Sequence, residues 1–171
     1  MKTSFLRKHL CITAFVVFLF SLVTYGDTSP FKVNANLPKD PVSAGGLIPV
    51  TITIDIEPNH HIYKDQVSVE SADVTQFTLS SVTLPPGKRK YDQFLEKEVE
   101  LYEKTVEIKV FLLVQNNTPP GANNIKLRIQ YQGCSDKLCF APRTEELTLP
   151  VQIEPPRLDS ATSQGDGKLS P

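Results

Sequence analysis

Two cysteines with four residues between them, Cys134 and Cys139 in "YQGCSDKLCFAP", and two adjacent histidines, His60 and His61 in "PNHHIY", hold most of the reactive potential of this 171-residue sequence. The thiol pair admits three readings. As a staple it is weak, because closing so short a loop removes about 2 kcal/mol from the unfolded state by chain entropy, against nearly 5 kcal/mol for a loop of about 100 residues. As a redox centre it is well suited: a short loop keeps the second thiol beside the first, so one thiolate attacks a partner and the other resolves the mixed disulfide. As a metal clamp it would enlist an imidazole, since two thiolates and a histidine nitrogen could hold zinc or copper(I). Adjacent residues of an extended segment point to opposite faces, so at most one of His60 and His61 can join the cysteines. Spacing alone leaves the three readings open.

The compartment bears on the choice. Lys2, Arg7 and Lys8 precede an apolar run from Leu10 to Val23, followed by Thr24, Tyr25 and Gly26, which is the pattern of a secretory signal peptide over residues 1–26. The run is shorter than the roughly 20 residues a spanning helix needs, so no stable membrane insertion is expected after cleavage. Cys11 leaves with the signal. Export to an oxidising compartment permits a disulfide between the two cysteines that remain. Residues 1–26 hold three of the 18 basic side chains and none of the 19 acidic ones, so the remainder carries a formal charge of -4. Nothing in that balance suggests nucleic acid as a partner.

Positioning the thiols falls to strands. Ile48, Val50, Ile52, Ile54 and Ile56 alternate with Thr51, Thr53, Asp55 and Glu57, the period of a half-buried strand. The pattern returns in Val106 to Val114, Ile125 to Tyr131 and Leu147 to Ile153, and more weakly in Phe31 to Leu37, Ile62 to Val69 and Phe77 to Leu84. No window carries a helical stripe, and "LPKDP", "AGG", "LPPGK" and "NNTPPGANN" punctuate the strands. About seven short strands predict an all-β, immunoglobulin-like β-sandwich over residues 27–154. With no tryptophan and no widely spaced cysteine pair, the antibody version is excluded. Residues 155–171, "PPRLDSATSQGDGKLSP", read as a disordered polar tail. Cys134 and Cys139 fall in the hairpin-like connection between the last two long strands.

"IQYQGCSDKLCFAP", "HHIYKDQVSV" and "YDQFLEKEVELYEK", in that family's order along the chain, resemble the N-terminal periplasmic domain of the bacterial thiol:disulfide interchange protein DsbD, over about residues 31 to 153. The resemblance implies an immunoglobulin-like sandwich and a redox shuttle in the periplasm. Such a domain takes electrons from a thioredoxin-like domain of a membrane thiol:disulfide reductase and passes them to periplasmic disulfide-containing proteins. No cofactor and no metal is implied. Cys134 and Cys139 match the active cysteines, with Cys139 forming the mixed disulfide. Asp92, Gln93, Phe94 and Leu95 fall in the place of a cap loop whose aromatic residue, here Phe94, shields the disulfide. Tyr63 matches an aromatic beside the active site, and Tyr131 and Phe140 flank the cysteines.

The sequence departs from that pattern in places. His60 and His61 replace aromatic residues, Gln93 stands where an acid is often found, and the intercysteine loop is one residue shorter than in some members. Those members continue into membrane helices and a thioredoxin-like domain; a chain ending in a polar tail is expected to work in trans or to have lost that role. Apart from the resemblance, the residues also suit an immunoglobulin-like adaptor with a purely structural disulfide, or a periplasmic copper- or zinc-binding protein.

Overall fold

A computed structural model describes residues 29–93 and 95–155. The expected signal peptide, nearly all of the polar tail and Phe94 lie outside the described residues. The chain forms strands β1 (Phe31–Asn36), β2 (Val42–Ser43), β3 (Leu47–Ile56), β4 (His60–Tyr63), β5 (Ser68–Ser71), β6 (Phe77–Thr83), β7 (Lys88–Asp92), β8 (Lys97–Tyr102), β9 (Val106–Val114), β10 (Gly121–Tyr131), β11 (Gly133–Ser135) and β12 (Arg143–Glu154). One sheet runs β1-β3-β9-β6, a second β2-β12-β10-β5, and a third, smaller in its buried face, β11-β4-β8-β7. The fold is an immunoglobulin-like β-sandwich, as the strand count predicted.

Alternation explains the sandwich. Ile48, Val50, Ile52 and Ile54 of β3 and Val106 to Val114 at every second position of β9 are buried, and they meet Ile125, Leu127, Ile129 and Tyr131 of β10 in one core. Each such aliphatic side chain contributes about 1.5–3 kcal/mol on leaving water. The intervening residues face solvent, so a slip of one residue would turn the whole apolar set outward; the patterning holds the β3–β9 register of Val50↔Val110 and Ile52↔Ile108.

Two features differ from the sequence reading. Ile62 to Val69 is not one strand: β4 ends at Tyr63, a single 3-10 turn covers Lys64–Gln66, and β5 begins at Ser68. Ile62 and Tyr63 are both buried in succession, which breaks the period of two as the chain passes from the third sheet to the second. The β7–β8 hairpin was also absent from the predicted strands. It is rich in charge, and it buries only Val99, Leu101 and Tyr102. Those few residues, with Tyr63 and Cys134, decide where the site lies.

Candidate functional site

The connection from β10 to β12 returns on itself as a small hairpin. The Phe140 N–H donates to the Gly133 carbonyl at 2.9 Å and the Ser135 N–H donates to the Leu138 carbonyl at 2.8 Å, so Cys134 and Cys139 lie between two backbone rungs. They pair as an antiparallel bridge and are joined by a disulfide, with Cα atoms 3.9 Å apart. The Ser135 hydroxyl accepts from the N–H groups of Lys137 and Leu138, each at 3.2 Å, which fixes the four-residue turn. Gln132 anchors the far side, its side-chain amide donating to the Phe140 carbonyl at 3.0 Å.

The two sulfurs occupy different surroundings. Cys134 is 1% exposed and packs with Tyr63, Val99 and Leu101 in a small core separate from that of the sandwich. Cys139 is exposed. Both line a cleft of about 650 Å³ between the cysteine hairpin and the tip of the β7–β8 hairpin. Three large apolar side chains that face water, Tyr91, Leu95 and Leu138, line the same cleft.

Asp92 ends β7 and ties the hairpin tip to the cysteine side. One carboxylate oxygen accepts from the Tyr63 hydroxyl at 2.5 Å, and the other accepts from the Leu95 N–H at 2.9 Å. Burial, and after it the bond to Asp92, pushes the Tyr63 phenol up to about 12, so it remains a donor at any physiological pH. Glu96, in the turn that follows, has φ 51°, a left-handed conformation that lets the chain reverse into β8. Behind the tip, Lys64 and Arg89 approach Glu100 at 2.5 and 3.7 Å, and Lys88 and Lys90 approach Glu103 at 2.7 and 3.6 Å. Hydrogen bonds from Lys64 and from Lys88 hold Glu100 and Glu103, respectively, below the usual carboxylate range.

The two histidines separate. His61 is the register partner of Cys134 across β4 and β11, sits edge-on to Tyr63 at 5.2 Å, and lines the cleft. Burial, then the positive charge of Lys90, lowers its pKa; Asp136, Glu103 and Asp92 oppose this in part. His60 turns to the other face, stacked on Phe140 at 6.0 Å, with its Nδ1 donating to the Pro58 carbonyl at 2.9 Å. Among the described residues no three His, Cys, Asp or Glu side chains converge as a metal cage.

Of the residues expected at the site, Tyr63, Asp92, Gln93 and Leu95 line the cleft with the cysteines. Tyr131 and Phe140 flank them in sequence and lie on the opposite face. Both meet the ring of Phe31, at 5.7 and 6.0 Å, and the Tyr131 hydroxyl donates to Glu145 at 2.6 Å. That ring lies directly against Gly133: a methyl group there would come within 2.0 Å of Phe31 Cζ. The aromatic cluster is a floor under the strand that carries Cys134. Lys90, Tyr91, Leu138, Val99 and Leu101 were not singled out from the sequence. Leu138 carried a usable signal, an apolar residue in a four-residue loop between cysteines, and so did the alternation in "EVEL".

The sequence pattern of one family, described as "Thiol:disulfide interchange protein DsbD, N-terminal", matches residues 31–151. Thiol:disulfide interchange protein DsbD 1 of Pseudomonas aeruginosa is 31% identical over 109 residues, which is 62% of this chain and 17% of that protein. The DsbD of Ralstonia nicotianae is 29% identical over 94 residues, 54% of this chain and 14% of that protein. The chain therefore spans less than a fifth of the length of these curated relatives. Among solved structures, the reduced DsbD n-terminal domain of Neisseria meningitidis superposes with a TM-score of 0.51 at 19% identity, covering 72% of this chain and 86% of that one. The complex between the DsbD N-terminal and PilB N-terminal domains of the same organism gives 0.51 at 16%, covering 71% and 87%. The N-terminal periplasmic domain of ScsB from Proteus mirabilis gives 0.51 at 15%, covering 78% and 51%. At these identities the likeness establishes the fold.

Proposed function

This chain belongs to the family of DsbD N-terminal domains, and on that premise we propose that it is a periplasmic thiol-disulfide exchange module in which Cys139 attacks the partner and Cys134 resolves. The observation that carries the reading is the asymmetry of the pair: both cysteines line the cleft, but Cys139 is exposed there and Cys134 is almost fully buried. Attack on a partner requires access, whereas resolution is intramolecular and does not.

The exchange balances without a cofactor. In the reduced protein the Cys139 thiolate attacks a partner disulfide, forming one S–S bond and releasing one partner thiolate. The Cys134 thiolate then attacks Cys139 Sγ, which re-forms the Cys134–Cys139 bond and releases the second partner thiolate. Two electrons pass to the partner, and protons follow to the released thiolates. The reverse sequence reloads the pair from the dithiol of a thioredoxin-like donor, such as a domain of a membrane thiol:disulfide reductase. Export through the signal at residues 1–26, with residues 27–154 as the working domain and 155–171 as a polar tail, completes the proposal.

The cleft suits this use. Tyr91, Leu95 and Leu138 offer an apolar rim beside the exposed sulfur, and depletion of charge at a contact centre favours association. Asp92, Gln93, Phe94 and Leu95 act as a cap over the disulfide, with the Tyr63–Asp92 bond as its fastening. The adaptor reading is tested by the same experiment. With an oxidised thioredoxin-like protein, reduced Cys134→Ser accumulates a covalent adduct through Cys139, seen by mass spectrometry, and Cys139→Ser accumulates much less. Equal yields would remove the assignment of roles; no adduct from either variant would leave the disulfide a structural one.

A further inference from the structure

A thiol enclosed among Tyr63, Val99 and Leu101 is hard to ionise, because an apolar surround disfavours the thiolate. Resolution nevertheless requires a thiolate at Cys134, so its proton needs an acceptor within the cleft. Antiparallel register partners have Cβ atoms about 4.5–5.5 Å apart on one face of the sheet. The register partner of Cys134 is His61, and both side chains line the cleft. The nearby carboxylates are placed differently. Asp92 is engaged by the Tyr63 hydroxyl and the Leu95 N–H, and Asp65 and Asp136 lie on exposed turns.

We propose that His61 accepts the proton of the Cys134 thiol as Cys134 attacks the mixed disulfide between Cys139 and its partner. The step rests on the exchange reading above. The S–H proton moves to the imidazole, the sulfur electron pair forms the bond to Cys139 Sγ, the Cys139–partner bond breaks, and the partner sulfur leaves as a thiolate. The imidazolium then returns its proton to the departing thiolate or to water.

Histidine is the side chain whose ordinary pKa makes it an acceptor near neutrality, and His61 is the one histidine among the described residues that lines the cleft. Burial lowers its pKa and so favours the neutral, proton-accepting form while the disulfide is intact. The groups that face it are Tyr63 on its own strand, Lys90 and Asp92 on β7, Glu103 beyond β8, and Cys134 and Asp136 on the cysteine hairpin. Lys90 favours the neutral form and the three carboxylates favour the charged form, which suits a group that must take up a proton and return it. Because the thiol is register-paired with His61 and the partner meets Cys139, the step acts on release of the partner rather than on its capture.

Rapid mixing of the reduced full chain carrying Cys11→Ser, whose two thiols are then Cys134 and Cys139, with dithiobis(nitrobenzoate) separates the two steps. Attack by Cys139 releases one coloured thiolate in a bimolecular phase, and resolution by Cys134 releases the second in a unimolecular phase. In the wild type the second phase rises through an ionisation in the imidazole range. In His61→Phe it is slower by about 100-fold near pH 7, the lower end of what a placed base contributes, and recovers only where the thiol ionises unaided. The first phase changes by less than about threefold, far below that effect. His61→Gln, similar in size and able to hydrogen-bond, gives the same loss if His61→Phe does not fold. A second phase with unchanged rate and pH profile in either folded variant overturns the proposal, as does a wild-type profile with no inflexion in the imidazole range. A wild type that shows no second phase at all overturns the exchange reading itself.

Discussion

Replacing Gly133 by alanine places a methyl group 2.0 Å from Phe31 Cζ and 2.2 Å from Cε2, where carbon atoms prefer about 3.5–4.0 Å. Either the ring or β11 must therefore move by roughly 1.5 Å. The ring has little room, being 3% exposed and in edge contact with His60, Tyr131 and Phe140 at 5.9, 5.7 and 6.0 Å. Overpacking of this kind costs about 1–3 kcal/mol. The backbone of Gly133 does not require positive φ, so alanine also recovers about 0.4–1 kcal/mol through the unfolded chain. The net expectation is a loss of about 1–2 kcal/mol. A double-mutant cycle assigns the cause. Phe31→Ala alone should cost about 3–5 kcal/mol, and the cavity it leaves should receive the new methyl. Gly133→Ala should then be neutral or slightly stabilising, a coupling of about 2 kcal/mol, well beyond the few tenths expected of independent sites. Urea midpoints of the four proteins at constant slope supply the numbers. If Gly133→Ala costs the same with and without the Phe31 ring, the ring is not what forbids a side chain at this position.

Replacing Cys134 and Cys139 together by serine should leave a folded sandwich that has lost about 2 kcal/mol or less, since the loop is short; a chain unfolded at room temperature by circular dichroism would make the bond a staple. Phe94→Ala should speed both reduction of the disulfide by a small thiol and alkylation of the reduced form. Tyr63→Phe, which removes the bond to Asp92, should do so too with about 1.5–3 kcal/mol of lost stability, and rates unchanged in both variants would exclude a cap. Because the folded pKa of His61 lies below its unfolded value, its contribution to stability is complete above about pH 6.5 and is lost as the pH falls through the folded value. The oxidised protein should therefore unfold at lower urea near pH 5 than near pH 7 by a margin that shrinks in His61→Phe; an undiminished margin would place the titration elsewhere.

Much of the sandwich was legible because each of its long strands buries one face. β9 matches the predicted segment end to end, β3 extends its segment by one residue and β10 by four, since Leu47 and the stretch before Ile125 pair without adding buried apolar side chains. The third sheet was illegible for the same reason inverted. Its hairpin is held by carboxylates between lysines and an arginine, and "KRKYD" offers no alternation because all five side chains reach solvent to some degree. That the two cysteines lie close together could be read from their spacing, and their place between two strands from the patterns around them. What encloses Cys134 could not, because Tyr63, Val99 and Leu101 reach it from two strands distant in sequence. Nor was the floor visible: that Phe31 lies on Gly133 follows from the return of β1 to the opposite end of the chain fold, a contact without any local signature.

The small core around Cys134 shares no residue with the large core of the sandwich. Proteins open in cooperative units whose free energies range from near zero up to that of global unfolding, and a unit with four buried side chains belongs to the low end of that range. Freeing the enclosed sulfur therefore requires melting only a corner of the molecule. The sandwich acts as a chassis whose large core lies apart from that corner, so mutations that tune how often the corner opens need not be filtered through whether the protein folds.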